Sequence, residues 1–133
     1  MSISYTIDAD NNLVVITARG MVKDNDMATY RNELLESPQM SSGMRILTDF
    51  RSIQADQFTV DGVNRYIAID LAHADKLQNT REAIVTDSDI GFGMARVYQS
   101  CTSSSGHVLH VFRQIEAAET WLFGNPEDEA AGA

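Results

Sequence analysis

Apolar residues along this chain recur at two spacings, and the spacing switches back and forth several times. Ile3, Tyr5 and Ile7 alternate with Ser4, Thr6 and Asp8, a period of two that sets one face of a strand against a core and the other in water. Asp8-Ala9-Asp10-Asn11-Asn12 reads as a turn, because Asx side chains bond their own backbone. Leu13 to Ala18 returns as a more fully apolar strand, so the first two strands predict an antiparallel hairpin. After Gly20 the spacing becomes three and four: Met27, Tyr30 and Leu34 predict a helix with Asp24 as its N-cap, closed by Pro38. Arg45 to Phe50 follows as a short strand. Thr59 then caps a longer helix whose apolar stripe runs through Val60, Val63, Ile67, Leu71 and Ala74, with Asp61, Arg65 and Asp75 opposite.

Ala83-Ile84-Val85 forms the core of a fourth strand. Asp87-Ser88-Asp89 caps a helix with Ile90, Met94, Val97 and Cys101 along one face, and Thr102 to Gly106 ends it. His107 to Arg113 is the last strand, Ile115, Ala118 and Leu122 mark the last helix, and Gly124-Asn125-Pro126 stops it. The order β-β-α-β-α-β-α-β-α predicts an α/β fold. Its mixed sheet has about five strands, with an N-terminal hairpin followed by three βα crossover units and helices packed on the sheet. Residues 1–123 form a single domain on this reading. Residues 124–133, acidic and rich in small side chains, are expected to be a disordered tail.

Composition narrows the partners. A chain of 133 residues with 44% hydrophobic side chains buries enough surface for one core, and its single cysteine leaves no disulfide to form within it. Its 19 Asp and Glu against 10 Lys and Arg repel phosphate backbones and anionic lipid surfaces, which argues against nucleic acid as a partner. The N-terminus has no basic segment followed by a long apolar one, and no apolar run approaches the ~20 residues that span a bilayer. The expected location is therefore the cytoplasm, without membrane insertion.

Chemistry is hard to assemble from these residues. His107 and His110 lie three apart on one strand, so they face opposite ways and cannot share a metal. His73 has no His or Cys one helical turn away. No metal site and no cofactor are expected. Cys101, on the apolar stripe of its helix, reads as a core residue, and no base stands near it in sequence to make it a nucleophile. Gly91-Phe92-Gly93 opens a helix after a strand, but Arg96 occupies the place of the third glycine of a dinucleotide fingerprint, and Asp87 and Asp89 oppose a phosphate. Carboxyl ends of parallel strands form the usual ligand crevice of open α/β sheets. Asp49, Arg51, Ser52, Asp87, Ser88, Phe92, Arg96 and Arg113 are the candidate binding residues on that rim, the alternative being caps and surface ion pairs.

Several of these stretches resemble a known family. Arg45-Ile46-Leu47-Thr48-Asp49-Phe50-Arg51-Ser52-Ile53, Ala83 to Asp89, Gly91-Phe92-Gly93-Met94-Ala95-Arg96-Val97-Tyr98 and Val111-Phe112-Arg113 with Ala117, Ala118, Trp121 and Leu122 look like the bacterial SpoIIAA-like proteins. These are small single-domain members of the STAS superfamily, also compared with CRAL-TRIO lipid-transfer domains. The resemblance runs from about Ile3 to Leu122. It implies a mixed sheet backed by helices, no enzymatic activity, and action by binding. In anti-sigma factor antagonists a serine at the start of the helix after the third strand is phosphorylated to break partner binding. The corresponding stretch here, Asp56 to Gly62, lacks the serine pair and leaves Thr59 as the nearest phosphoacceptor. Two functions follow from the likeness. One is a non-catalytic domain that binds another protein, a second copy of itself included, with Ile3 to Asp8 as an edge for pairing. The other is a carrier or sensor of a small apolar ligand or lipid, for which Phe92, Tyr98 and Tyr66 are the apolar residues of interest.

Overall fold

A computed structural model describes residues 2–54, 58–102 and 106–124. Strand β1 (Ser2–Asp8) pairs antiparallel with β2 (Leu13–Met21), with Asp8 opposite Leu13. The turn between them is a single 3-10 turn. The Asp8 carboxylate accepts the Asn11 N–H, and Asn12 takes the left-handed conformation at φ 53°, which Asn tolerates because its short amide bonds locally. The chain continues through α1 (Asp24–Glu36), β3 (Arg45–Gln54), α2 (Val60–Ala72), the four-residue α3 (Ala74–Leu77), β4 (Thr80–Val85), α4 (Asp89–Thr102), β5 (His107–Phe112) and α5 (Ile115–Phe123). Strands lie in the sheet in chain order, and β2 to β5 are all parallel.

That strand order decides where the helices go. Each crossover moves one strand further in the same direction, so right-handed connections put all three crossover helices on one face. There Met27 and Leu34 of α1, Val63 and Tyr66 of α2 and Tyr98 of α4 share a core with Ile16, Ile46, Ile84 and Leu109 of the sheet. Helix α5 closes no crossover and lies on the other face, where Ala118 and Leu122 pack against Ala83 and Val85, with Leu47, Phe112 and Trp121 alongside. Strand β4 is covered on both sides, which is why Glu82 to Val85 are all buried.

The helices are rotated relative to the stripes expected from sequence. Val60 and Leu71 of α2 are 61% and 55% exposed, while Val63, Tyr66, Ile67, Ile69 and Asp70 face inward. Tyr66 and Asp70 are held there by hydrogen bonds to Tyr30 and Arg31 of α1. On α4, Ile90 and Val97 are 60% and 46% exposed and Cys101 is exposed, so Cys101 is not a core residue. The inward positions are Gly91, Met94, Ala95, Tyr98 and Thr102, an equally good helical spacing. Gly91 explains the choice. A Cβ at this position would come within 2.4 Å of Thr86 Oγ1, so the bare side of the helix is the one that seats against the end of β4.

Asp24 does not cap α1. It is the first residue of that helix, and its carboxylate instead accepts from Thr59 N (2.9 Å) and Thr59 Oγ1 (2.6 Å) at the start of α2. Thr59 in turn caps α2, accepting from Gly62 N at 3.0 Å. Ser88 meets its expectation at α4, accepting from Gly91 N at 2.9 Å. Helix α2 stops at His73, earlier than expected, and Ala74 belongs to α3. Of the tail expected over residues 124–133, all but Gly124 lies outside the described residues, as do Ser103 to Ser105 of the helix terminator and Asp56 and Gln57 of the Thr59 turn.

Candidate functional site

A charged cluster lies fully inside the molecule, between the sheet and the three crossover helices. Arg31 of α1 donates from Nε to Asp70 Oδ1 (2.8 Å) and from Nη2 to Asp70 Oδ2 (3.1 Å), Glu82 Oε1 (3.0 Å) and the Tyr98 hydroxyl (3.0 Å). Asp70 comes from α2, Glu82 from β4 and Tyr98 from α4, so one guanidinium ties four elements together. Tyr98 also donates to Asp70 Oδ2. Glu82 accepts from Thr48 Oγ1 at 2.7 Å and from His107 Nε2 at 2.9 Å. Because an ionised carboxylate only accepts, that contact places the imidazole proton on Nε2. The Arg31 side chain is stacked over the Tyr66 ring, 4.9 Å from its centre, and Tyr66 shares a hydroxyl-to-hydroxyl bond with Tyr30.

The field of Arg31 sets the charge states. Burial alone would push the Glu82 carboxyl up, but Arg31, His107 and the Thr48 hydroxyl hold it down at about 2. Burial pushes the Tyr30 hydroxyl up to about 12 and those of Tyr66 and Tyr98 well above the usual phenol range. All three tyrosines are therefore neutral, Tyr98 donating to Asp70 and either Tyr30 or Tyr66 donating across their shared bond. Burial disfavours the charged guanidinium, yet Asp70 and Glu82 more than offset this and keep it charged.

Sequence reading missed this cluster, although a signal was present. Arg31 sits one turn after Met27 and one turn before Leu34 and Leu35, on the buried stripe of α1. Asp70 continues the line of Val63, Tyr66 and Ile67, and Glu82 adjoins the apolar run Ala83-Ile84-Val85. Charged residues in register with apolar ones, one positive and two negative, are what a buried ion cluster leaves in a sequence.

Next to the cluster, an apolar cleft of about 530 Å³, its open mouth included, lies between α2 and α4 over the carboxyl ends of β3 and β4. Phe50 and Ile53 of β3, Ile84 of β4, Val63 of α2 and Met94 and Ala95 of α4 form its walls, with Met27 and Phe58. No lining side chain is charged. The polar groups are Thr86 and the two tyrosines, Tyr66 and Tyr98, whose rings meet edge to face with centres 5.1 Å apart. These rings face the cleft on one side while their hydroxyls bond into the buried cluster on the other. Ring stacking and hydrogen bonding thus fix the wall that a ligand would meet.

The rim residues expected from sequence do not line this cleft. Asp49 and Arg51 pair with each other at 2.8 Å, and the Arg51 hydrogen bonds hold the Asp49 carboxyl below its usual range. Asp49 follows Leu47 on the α5 side of the sheet and Arg51 feels the Glu116 charge of α5, so this pair lies on that side, whereas Phe50 faces the cleft. Arg113 pairs with Asp89 at 2.9 Å and stacks on Phe92 at 4.4 Å, with Arg96 more distant at 6.0 Å from the same ring. Ser52 and Asp87 are exposed, and Ser88 caps α4. Asp49 with Arg51, and Asp89 with Arg113 and Phe92, are surface contacts, and the Asp87 charge acts on Arg51. The Thr59 hydroxyl is engaged with both Asp24 and Gly62. Of the apolar residues singled out, Tyr66 and Tyr98 line the cleft and Phe92 does not. His107 and His110 do face opposite ways. His107 joins the cluster, while His110 stacks on Trp121 with ring centres 4.5 Å apart. Among the described residues no group of three or more His, Cys, Asp or Glu is arranged to hold a metal, and no helix is long and apolar enough to cross a membrane.

Comparison with known proteins bears on this arrangement. The family model described as SpoIIAA-like matches residues 13–123. A crystal structure of an uncharacterized DUF3478-family protein with a SpoIIAA-like fold, from Shewanella loihica PV-4, superposes with a TM-score of 0.59 at 18% sequence identity, covering 91% of this chain and 92% of that one. At that identity the likeness shows the fold alone. No curated protein matches.

Proposed function

This chain belongs to the SpoIIAA-like family, and from that premise we propose that it is a non-enzymatic binding domain whose cleft between α2 and α4 takes the apolar part of a small ligand or lipid. The observation that carries this reading is the lining. An open cleft walled by apolar side chains and free of lining charge is an environment for hydrocarbon. The polar groups next to it do not supply chemistry. Arg31, Asp70 and Glu82 are buried behind the tyrosine rings and bonded to one another, which keeps these three charged groups from a bound molecule. Native mass spectrometry of gently purified protein tests the reading. A lipid-sized adduct released by organic solvent is the expected result. A bare chain that also fails to take up a neutral phenylnaphthylamine dye would refute it.

A second reading, a protein-binding domain, is favoured by one observation: Ile90, Val97 and Cys101 expose an apolar line along α4. Light scattering on concentrated protein, compared with a Val97→Asp variant, tests self-association along that line. A wild-type monomer at every concentration would remove the homodimer.

A further inference from the structure

The cleft has a chemically blind end. Tyr66 and Tyr98 close it with ring faces and edges, and both hydroxyls are directed into the buried cluster, Tyr98 to Asp70 and Arg31, Tyr66 to Tyr30. The Arg31 cation is behind these rings, stacked on Tyr66 and bonded to Asp70, Glu82 and Tyr98. A charged group pushed to this end would lose its hydration and meet no partner of opposite sign. At the mouth, by contrast, water remains available.

We infer that the cleft selects one-ended amphiphiles that go in tail first, an uncharged hydrocarbon end stopping against Tyr66 and Tyr98 while the polar head stays in water. This rests on the reading of the cleft as a ligand site and adds the orientation and class of the ligand. It also sets a rejection rule, because a chain charged at both ends must bury one charge. The competing arrangement is a carboxylate forcing its way past Tyr66 to Arg31 Nη1, which is buried without a hydrogen-bond partner among the described residues.

The test uses the whole protein loaded with a neutral phenylnaphthylamine dye, displaced by octanoate, decanoate and dodecanoate, and by the dicarboxylates of ten and twelve carbons. Monoacids are expected to tighten about fourfold per added methylene. Each dicarboxylate should bind more than about a hundredfold weaker than the monoacid of equal length. Ala95→Phe, which fills the cleft, should weaken every monoacid while the variant still melts cooperatively. If a dicarboxylate binds as tightly as its monoacid, or a folded Ala95→Phe variant binds monoacids unchanged, the tail-first inference is wrong. If neither dye nor any monoacid binds, the ligand-site reading itself falls. Should Ala95→Phe not fold, the comparison of monoacid with dicarboxylate on the wild-type chain still decides.

Discussion

Replacing Arg31 by Met would leave Asp70 and Glu82 buried with no cation between them. Both carboxylates now bond the same guanidinium, at 2.8 and 3.0 Å. Breaking a buried ion pair from one side typically costs about 3–5 kcal/mol, because the surviving charge keeps its desolvation penalty and loses its partner. Urea unfolding of Arg31→Met at neutral pH should show a loss of that order. The loss should shrink as pH falls from about 4.5 towards 2, since the wild-type Glu82 carboxylate protonates over that range and its pairing with Arg31 no longer favours the folded state. A loss that is constant with pH would mean Arg31 contributes packing alone. Pairing Arg31→Met with Glu82→Gln should recover part of the deficit, as residues of one network couple.

Helix α4 carries an internal control for how elements seat on one another. Gly91 and Gly93 are two residues apart, and in an exposed helix Gly→Ala is favourable by about 1 kcal/mol. A Cβ on Gly93 meets nothing within 4 Å, whereas one on Gly91 comes within 2.4 Å of Thr86 Oγ1 and 2.8 Å of Ser88 Oγ. Gly93→Ala should therefore raise the melting temperature and Gly91→Ala lower it, the second by lifting α4 from the end of β4 and disturbing the cap of Ser88. Equal shifts of one sign would contradict the seating. The start of α2 is held in a similar way. A Cβ on Gly62 would come within 2.0 Å of Asp24 Oδ1, the carboxylate that holds Thr59. Thr59→Ala should cost about 1 kcal/mol as a lost cap. Gly62→Ala should cost more, and it should cost less when Asp24 is already Ala. Chemical denaturation of wild type, Thr59→Ala, Gly62→Ala, Asp24→Ala and the Asp24→Ala/Gly62→Ala double variant measures this. A phosphate on Thr59 would face the same Asp24 carboxylate and loosen the α1–α2 contact by like-charge repulsion.

At the scale of the molecule, the alternation of spacings was enough to read the hairpin, the three crossovers and the final helix, because each element must hide one face and its period says which kind of element can do so. Rotation of a helix about its axis was less legible. On α4 two apolar lines compete, and a glycine contact with Thr86 decides between them. The cluster was least legible, since Arg31 and Tyr98 are 67 residues apart and only the fold brings them together. That assembly has a consequence for the whole chain in acid. Glu82 is held at about 2 in the folded protein against about 4.5 for a free side chain. A carboxylate with a depressed folded value contributes stability that is complete above its unfolded value and lost as pH falls through the folded one. The window is therefore about pH 4.5 down to 2, and the contribution is on the order of 3 kcal/mol. Neutralising the surface carboxylates of a chain with net charge -9 acts the opposite way over part of this range, by relieving repulsion. The two effects separate in Glu82→Gln. The variant should be less stable than wild type at pH 7, because Arg31 and His107 then face a neutral amide. Its stability should fall far less between pH 4.5 and 2, so that the two curves converge in acid. Parallel curves across that window, measured by denaturant midpoints at fixed ionic strength, would place the acid sensitivity of this fold outside the buried cluster.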